Sequence, residues 1–169
     1  MTNNDVMRDV VKHVRRVATL LMEVVSEIQT RAINHDESKF SEEEFSYFVA
    51  ETPKLRHLTY NSPEYYESMS RLAPALEHHY KNNDHHPEFF GTNGVEQMDL
   101  IQLIEMLADW RAATERHDNG NLARSIHENA KRFEYSLHTK CVLAKTALRM
   151  KWITEEGYKA ILTTPHKFD

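Results

Sequence analysis

The stretch "VVKHVRRVATLLMEVVSEI", residues 10–28, decides the fold. Val10, Val14, Val17, Leu21, Val25 and Ile28 recur in steps of three and four, which gathers them on one face of an α-helix running from Val6 to Ile28. A half-buried strand would alternate apolar and polar residues instead. The rest of the chain keeps the helical habit. With only 4 Gly and 5 Pro in 169 residues, breakers are scarce, while Ala, Leu, Glu, Met and Lys are common.

Working outward, "HDESKF" (35–40) is a short connection. Ser41 then caps "SEEEFSYFV", with Glu44 three residues on to complete a capping box. "ETPKLRHLTYNSP" reads as a connecting loop, and Ser62-Pro63 as the N-cap and first position of the next helix. Pro74 is expected to kink or restart that helix before "ALEHHY". "NNDHHPEFFGTNG" lacks periodicity and is rich in turn formers, so it reads as a loop. "VEQMDLIQLIEMLADWRAATERH" is apolar around most of its circumference, as a central buried helix would be. After a break at "NGN" come "SIHENAKRF" and "SLHTKCVLAKTALRM", separated near Tyr135–Ser136, and a short final helix in "TEEGYKAIL". The expected fold is all-α, a compact helical bundle forming a single domain over residues 1–169.

A net charge of −5 with mixed signs argues against a nucleic-acid polymer as partner. Cys141 is the single cysteine, which excludes an internal disulfide and fits a reducing compartment. The start of the chain has no apolar signal core, and no segment approaches the roughly 20 apolar residues of a membrane span. The expectation is a soluble, cytoplasmic protein without a membrane partner; whether it forms a homo-oligomer stays open. The unusual number is 11 histidines.

Their placement suggests a metal. His13 lies one turn from Val10 and Val17, on the apolar side of the first helix. His35 and Asp36 follow that helix. "EHHYKNNDHHPE" carries His78, His79, His85 and His86, and Asp109 stands within "IEMLADW". An acid inside a buried helix is costly unless its charge is compensated. A divalent ion held by imidazoles and carboxylates compensates it, and such mixed sites suit Mn, Fe, Co, Ni or Zn. Taken singly, each residue has a plainer reading. His13 would be a partly buried surface histidine, Asp109 a partner for Arg111 or Arg116, and "HHPE" a polar loop. Within its own pair, His79 is the better inward candidate, because it follows Leu72 and Leu76 on the apolar side of its helix. His85 and His86 can turn either ring inward, with Pro87 stiffening the turn.

The order His13, His35-Asp36, Asp109 resembles the H…HD…D pattern of the HD-domain metal-dependent phosphohydrolase superfamily. "HDESK" is similar to its HDxxK variant, and "HDESKF", "HHYKNNDHHPE" and "LIEMLADW" resemble a group of small HD-like proteins of phages and bacteria. The resemblance spans residues 13 to 109. It implies an all-helical bundle holding one or two divalent transition metals and hydrolysing a small phosphorylated substrate, with nucleotides the leading class. Its ligands map to His13, His35, Asp36 and Asp109. Branches with more metals add histidines matched by His79 and by His85 or His86. It places Lys39 on the substrate phosphate, and Arg16, one turn past His13, is a further phosphate candidate beside its plainer reading as an exposed helix arginine. Single-metal members carry an acid where Lys39 stands, to assist the attacking water. Here Glu37 or Glu88 would fill that role, unless a hydroxide shared by two metals does so. Two other readings compete: a di-iron oxygenase of HD type, and a non-catalytic helical protein whose metal is structural.

Overall fold

The first helix, α1, spans Asn3–Asn34. Thr2 caps it reciprocally with Asp5: the Thr2 side chain accepts from the Asp5 backbone N–H, and the Asp5 carboxylate accepts from the Thr2 N–H. No side chain of α1 is buried, and His35, its C-cap, leaves the helical conformation. The computed structural model describes residues 2–55, 57–58, 62–116 and 120–163. Two compact units are distinguished along the chain, Met1–His35 and Asp36–Asp169.

The second unit is built of helices, with no strand among its described residues. A 3-10 helix, Glu37–Phe40, leads into α2 (Glu42–Leu55), which packs closely against α3 (Pro63–Asn82). A second 3-10 helix, Pro87–Phe90, and the single turn α4 (Gly94–Gln97) follow. Then come α5 (Leu100–Thr114), α6 (Leu122–Phe133), α7 (Leu137–Arg149) and α8 (Glu155–Thr163). The last three pack on one another, and α5 packs on α6 and α7. Their core joins Met106, Leu107, Ile126, Leu143, Ala144 and Ile161. Tyr135 is buried among these residues and donates its hydroxyl to the Ile126 carbonyl (2.6 Å). Burial drives its phenol pKa far up, so it stays protonated.

Several boundaries follow the sequence closely. Ser62 caps α3 with Pro63 in the first turn, Ser136 caps α7, and the chain breaks between α6 and α7 at Glu134, in the left-handed region at φ 52°. The break at "NGN" begins outside the described residues and ends where the Asn121 side chain caps α6.

Others need correction. "ETPKL" is not loop but the last part of α2, with Pro53 inside the helix. Glu51 holds that extension: its carboxylate accepts from Ser68 Oγ on α3 (2.6 Å), Lys54 Nζ (2.6 Å) and Arg71 Nε (3.0 Å). Tertiary hydrogen bonds here outweigh the one helical bond that a proline removes. Pro74 does not divide α3, which runs through it as one element. The predicted central helix is two, because Asp99 forms a capping box with Gln102 and restarts the chain after α4. Only Met106 and Leu107 of α5 are buried, and Leu100 and Ile104 are exposed.

The Lys54 and Ser68 hydrogen bonds lower the Glu51 carboxyl, and Arg71 adds to this against the opposing effect of burial, bringing it from 4.5 to about 2. A carboxyl depressed on folding stabilises the native state above its unfolded value, and that stability is lost as pH falls through the folded one. The melting temperature should therefore fall between pH 4.5 and 2, and Glu51→Gln should flatten the fall. Equal slopes for the two proteins in melting curves across that range would remove Glu51 from the acid transition.

Candidate metal centre

Three segments of the second unit bring one carboxylate and three imidazoles together. Asp36 opens the first 3-10 helix in the left-handed region (φ 58°, ψ 22°), a conformation that aspartate adopts more readily than most residues. His79 lies in the last turn of α3, and His85 and His86 lie in the loop behind it. One ligating atom from each of Asp36, His79, His85 and His86 lies within 4.8 Å of the others. His79 Nε2 is 3.0 Å from His86 Nε2 and 3.2 Å from Asp36 Oδ1, and His85 Nε2 is 3.3 Å from the same oxygen. Ligands at bond lengths of about 2.1 Å around one ion stand about 3.0 to 3.4 Å apart, so these separations match the edges of one coordination sphere. The residues fit a metal ion.

Two further carboxylates aim the imidazoles. Glu44, fully buried on α2, places Oε2 3.0 Å from His79 Nδ1 and Oε1 2.8 Å from His78 Nδ1. Glu105 on α5 places Oε1 3.2 Å from His85 Nδ1. With a cation in the site, a proton on each Nδ1, donated to its carboxylate, would leave the Nε2 lone pair for the ion. Ser38 Oγ stands 3.0 Å from His79 Nδ1, and Asn83 Nδ2 donates to Ser38 Oγ (2.7 Å) and to the His79 carbonyl (2.8 Å), fixing the ring further.

The electrostatics keep the cluster ready for a cation. Burial acts to raise the Asp36 carboxyl, but hydrogen bonds from His79, His85 and Lys39 together outweigh it and hold the group far below the carboxylate range. Burial, then the charges of His85 and His79, push His86 down to about 3 against the pull of Asp109 and Asp36. An ionised carboxylate beside a neutral imidazole is the protonation state that metal ligation requires.

The loop carrying His85 and His86 is tied down from several sides. Asp84 accepts from Gln102 Nε2 (2.7 Å) on α5. Gly94 presses on the Pro87 backbone so closely that a Cβ there would stand 1.9 Å from the Pro87 carbonyl oxygen, which leaves glycine as the residue that fits.

The other sequence candidates fall in different places. Asp109 is half-buried on α5, and one of its carboxylate oxygens lies within 4.8 Å of one of Asp36. Lys39 binds the second oxygen of Asp36 and lies over the Phe48 ring. His78 is half-buried and turned to Glu44. Glu88 accepts from Arg132 Nη2 on α6 (2.7 Å), so a water-activating role requires it to leave that arginine, and Glu37 is exposed. Arg111 pairs with Glu115 (2.9 Å). His13 and Arg16 are exposed on α1, where Arg16 lies 3.7 Å from Glu23, and His35 ends that first unit. The sequence reading missed Glu44 and Glu105. Glu44 resembles a capping residue, and its side chain goes to the histidines instead, leaving the expected box with Ser41 unmade. Glu105 did leave a signal: it stands four residues before Asp109, on the same helix face.

The family model of DUF5662, a family of unknown function, matches residues 2–156, and the chain belongs to that family. No curated protein and no solved structure matches it.

Proposed function

We propose that this chain is a metal-dependent phosphohydrolase of HD type acting on a small phosphate ester, with nucleotides the leading substrate class. The observation that carries the reading is the convergence of Asp36, His79, His85 and His86, with Glu44 and Glu105 behind the imidazoles. This donor set suits Mn, Fe, Co, Ni or Zn. Such an ion, when bound, polarises a phosphoryl oxygen and lowers the pKa of water. Asp109, with a carboxylate oxygen within 4.8 Å of one of Asp36, would help to hold a second ion, and the resemblance implies more than one metal for histidine-rich branches. For His13 the resemblance alone supports a ligand role.

The residues of the chain then divide the work. Glu44 and Glu105 fix the imidazoles, and Asp36 presents one oxygen to them and the other to Lys39. A substrate phosphate competes with Asp36 for the Lys39 ammonium, forming charge-assisted hydrogen bonds beside the cation site. Lys39→Met should therefore raise KM or cut turnover while metal content stays near normal. The test is phosphate release from a panel of nucleotides and simple phosphoesters by the metal-loaded protein and this variant. Loss of metal with unchanged turnover per bound metal would contradict the role of Lys39.

A second reading has its own support. Three imidazoles to one carboxylate is a histidine-rich set that also suits iron, as an HD-type di-iron oxygenase requires. Iron-coloured protein that consumes oxygen and releases phosphate from no panel member would favour it.

A further inference from the structure

A lone helix is marginal in water, and most helical stability comes from packing an amphipathic face. The whole described first unit is α1, and its apolar side chains are open to solvent: Met7 is 64 % exposed, Val14 59 % and Leu21 60 %. The spacing of these residues is informative. Met7, Val10, Val14, Val17, Leu21, Val24 and Ile28 alternate steps of three and four without a fault, the seven-residue repeat of helices that wind around one another.

We infer that α1 is an interface, and that its partner is α1 of a second copy of this chain, running antiparallel. Length supports this choice. A 32-residue helix is about 48 Å long, and the longest described helix of the second unit, α3, has 20 residues. Self-complementarity supports the direction. About a twofold axis at the level of Thr19, Val10 faces Ile28 of the second copy, Val14 faces Val24, and Val17 faces Leu21. Apart from Met7, which falls opposite Arg31, every apolar layer is filled from both sides. The flanking positions agree. Small Ala18 meets its own copy at the axis, and Val11 meets Val25. A strip about 48 Å long and about 11 Å wide on each copy gives on the order of 1,000 Å² in total, the size a specific interface must reach. A membrane surface is the weaker occupant, because the polar side of α1 mixes Asp5, Asp9, Glu23 and Glu27 with its basic residues.

The test uses the full chain. Wild-type protein should sediment as a dimer at micromolar concentration. Val17→Glu, which buries a charge at the axis, should weaken dimerisation by at least about a hundredfold. In a Cys141→Ser background, a short bis-maleimide should link Ala18→Cys to its own copy. It should not link Val10→Cys, whose copies lie about 27 Å apart in this arrangement. A monomeric wild type, a dimer indifferent to Val17→Glu, or efficient linking at Val10→Cys (a parallel pair) would overturn the inference. So would a monomer that binds anionic phospholipid vesicles through α1.

Discussion

Asp36→Asn should strip the protein of its metal. The carboxylate is the single anionic member of the Asp36, His79, His85 and His86 group, and one of its oxygens faces two imidazole nitrogens. Removing a direct anionic ligand should exceed the roughly 10- to 100-fold loss typical when a group behind a ligand is removed. Asparagine is the informative replacement, because it tolerates the left-handed conformation at φ 58° and keeps the shape of the side chain. Asp36→Ala should lose metal as well, but with about 1–2 kcal/mol of added backbone strain that has nothing to do with ligation. Metal counting after dialysis, with far-UV circular dichroism as the control, reads both effects. Helicity should persist, since the helices are held by their apolar contacts and caps. A fully loaded Asp36→Asn protein would remove Asp36 from the ligand set.

Glu44→Ala should produce the second-largest change, and it acts in two ways. The carboxylate is fully buried and serves both His78 and His79, so its loss leaves two imidazole N–H groups without that acceptor. That should cost about 1–3 kcal/mol in metal-free urea unfolding. It also frees the His79 ring, which should weaken metal affinity by roughly 10- to 100-fold. Glu44→Gln separates the two effects. It keeps the volume and one acceptor oxygen, so stability should recover more than affinity does. A Glu44→Ala protein with wild-type metal affinity would mean that Ser38 and Asn83 orient His79 without help.

The helices were legible in the sequence because their causes are local. Steps of three and four, Ser62-Pro63 before α3, Ser136 before α7 and the run from Val10 to Ile28 are all contained within a few turns of chain. The identity of His79 as the buried member of its pair was legible for the same reason, from its spacing to Leu72 and Leu76. What escaped was decided by partners far away in sequence. Pro53 ends a helix by any local rule, yet α2 passes it because Ser68 and Arg71 hold Glu51 from α3. Glu44 has every mark of a cap, and becomes a buried anchor for histidines more than thirty residues on. Lys39 and Asp36 could be named from their motif, but that one carboxylate oxygen serves the lysine while the other serves two imidazoles appears only once α3 and its loop are folded against them. By itself the sequence determined most of the helices and named Asp36, His79, His85 and His86 as candidate metal ligands, since both depend on residue type and short spacing. Only the tertiary structure decided which carboxylate stands behind which imidazole, because a buried charge selects its partners by proximity in space.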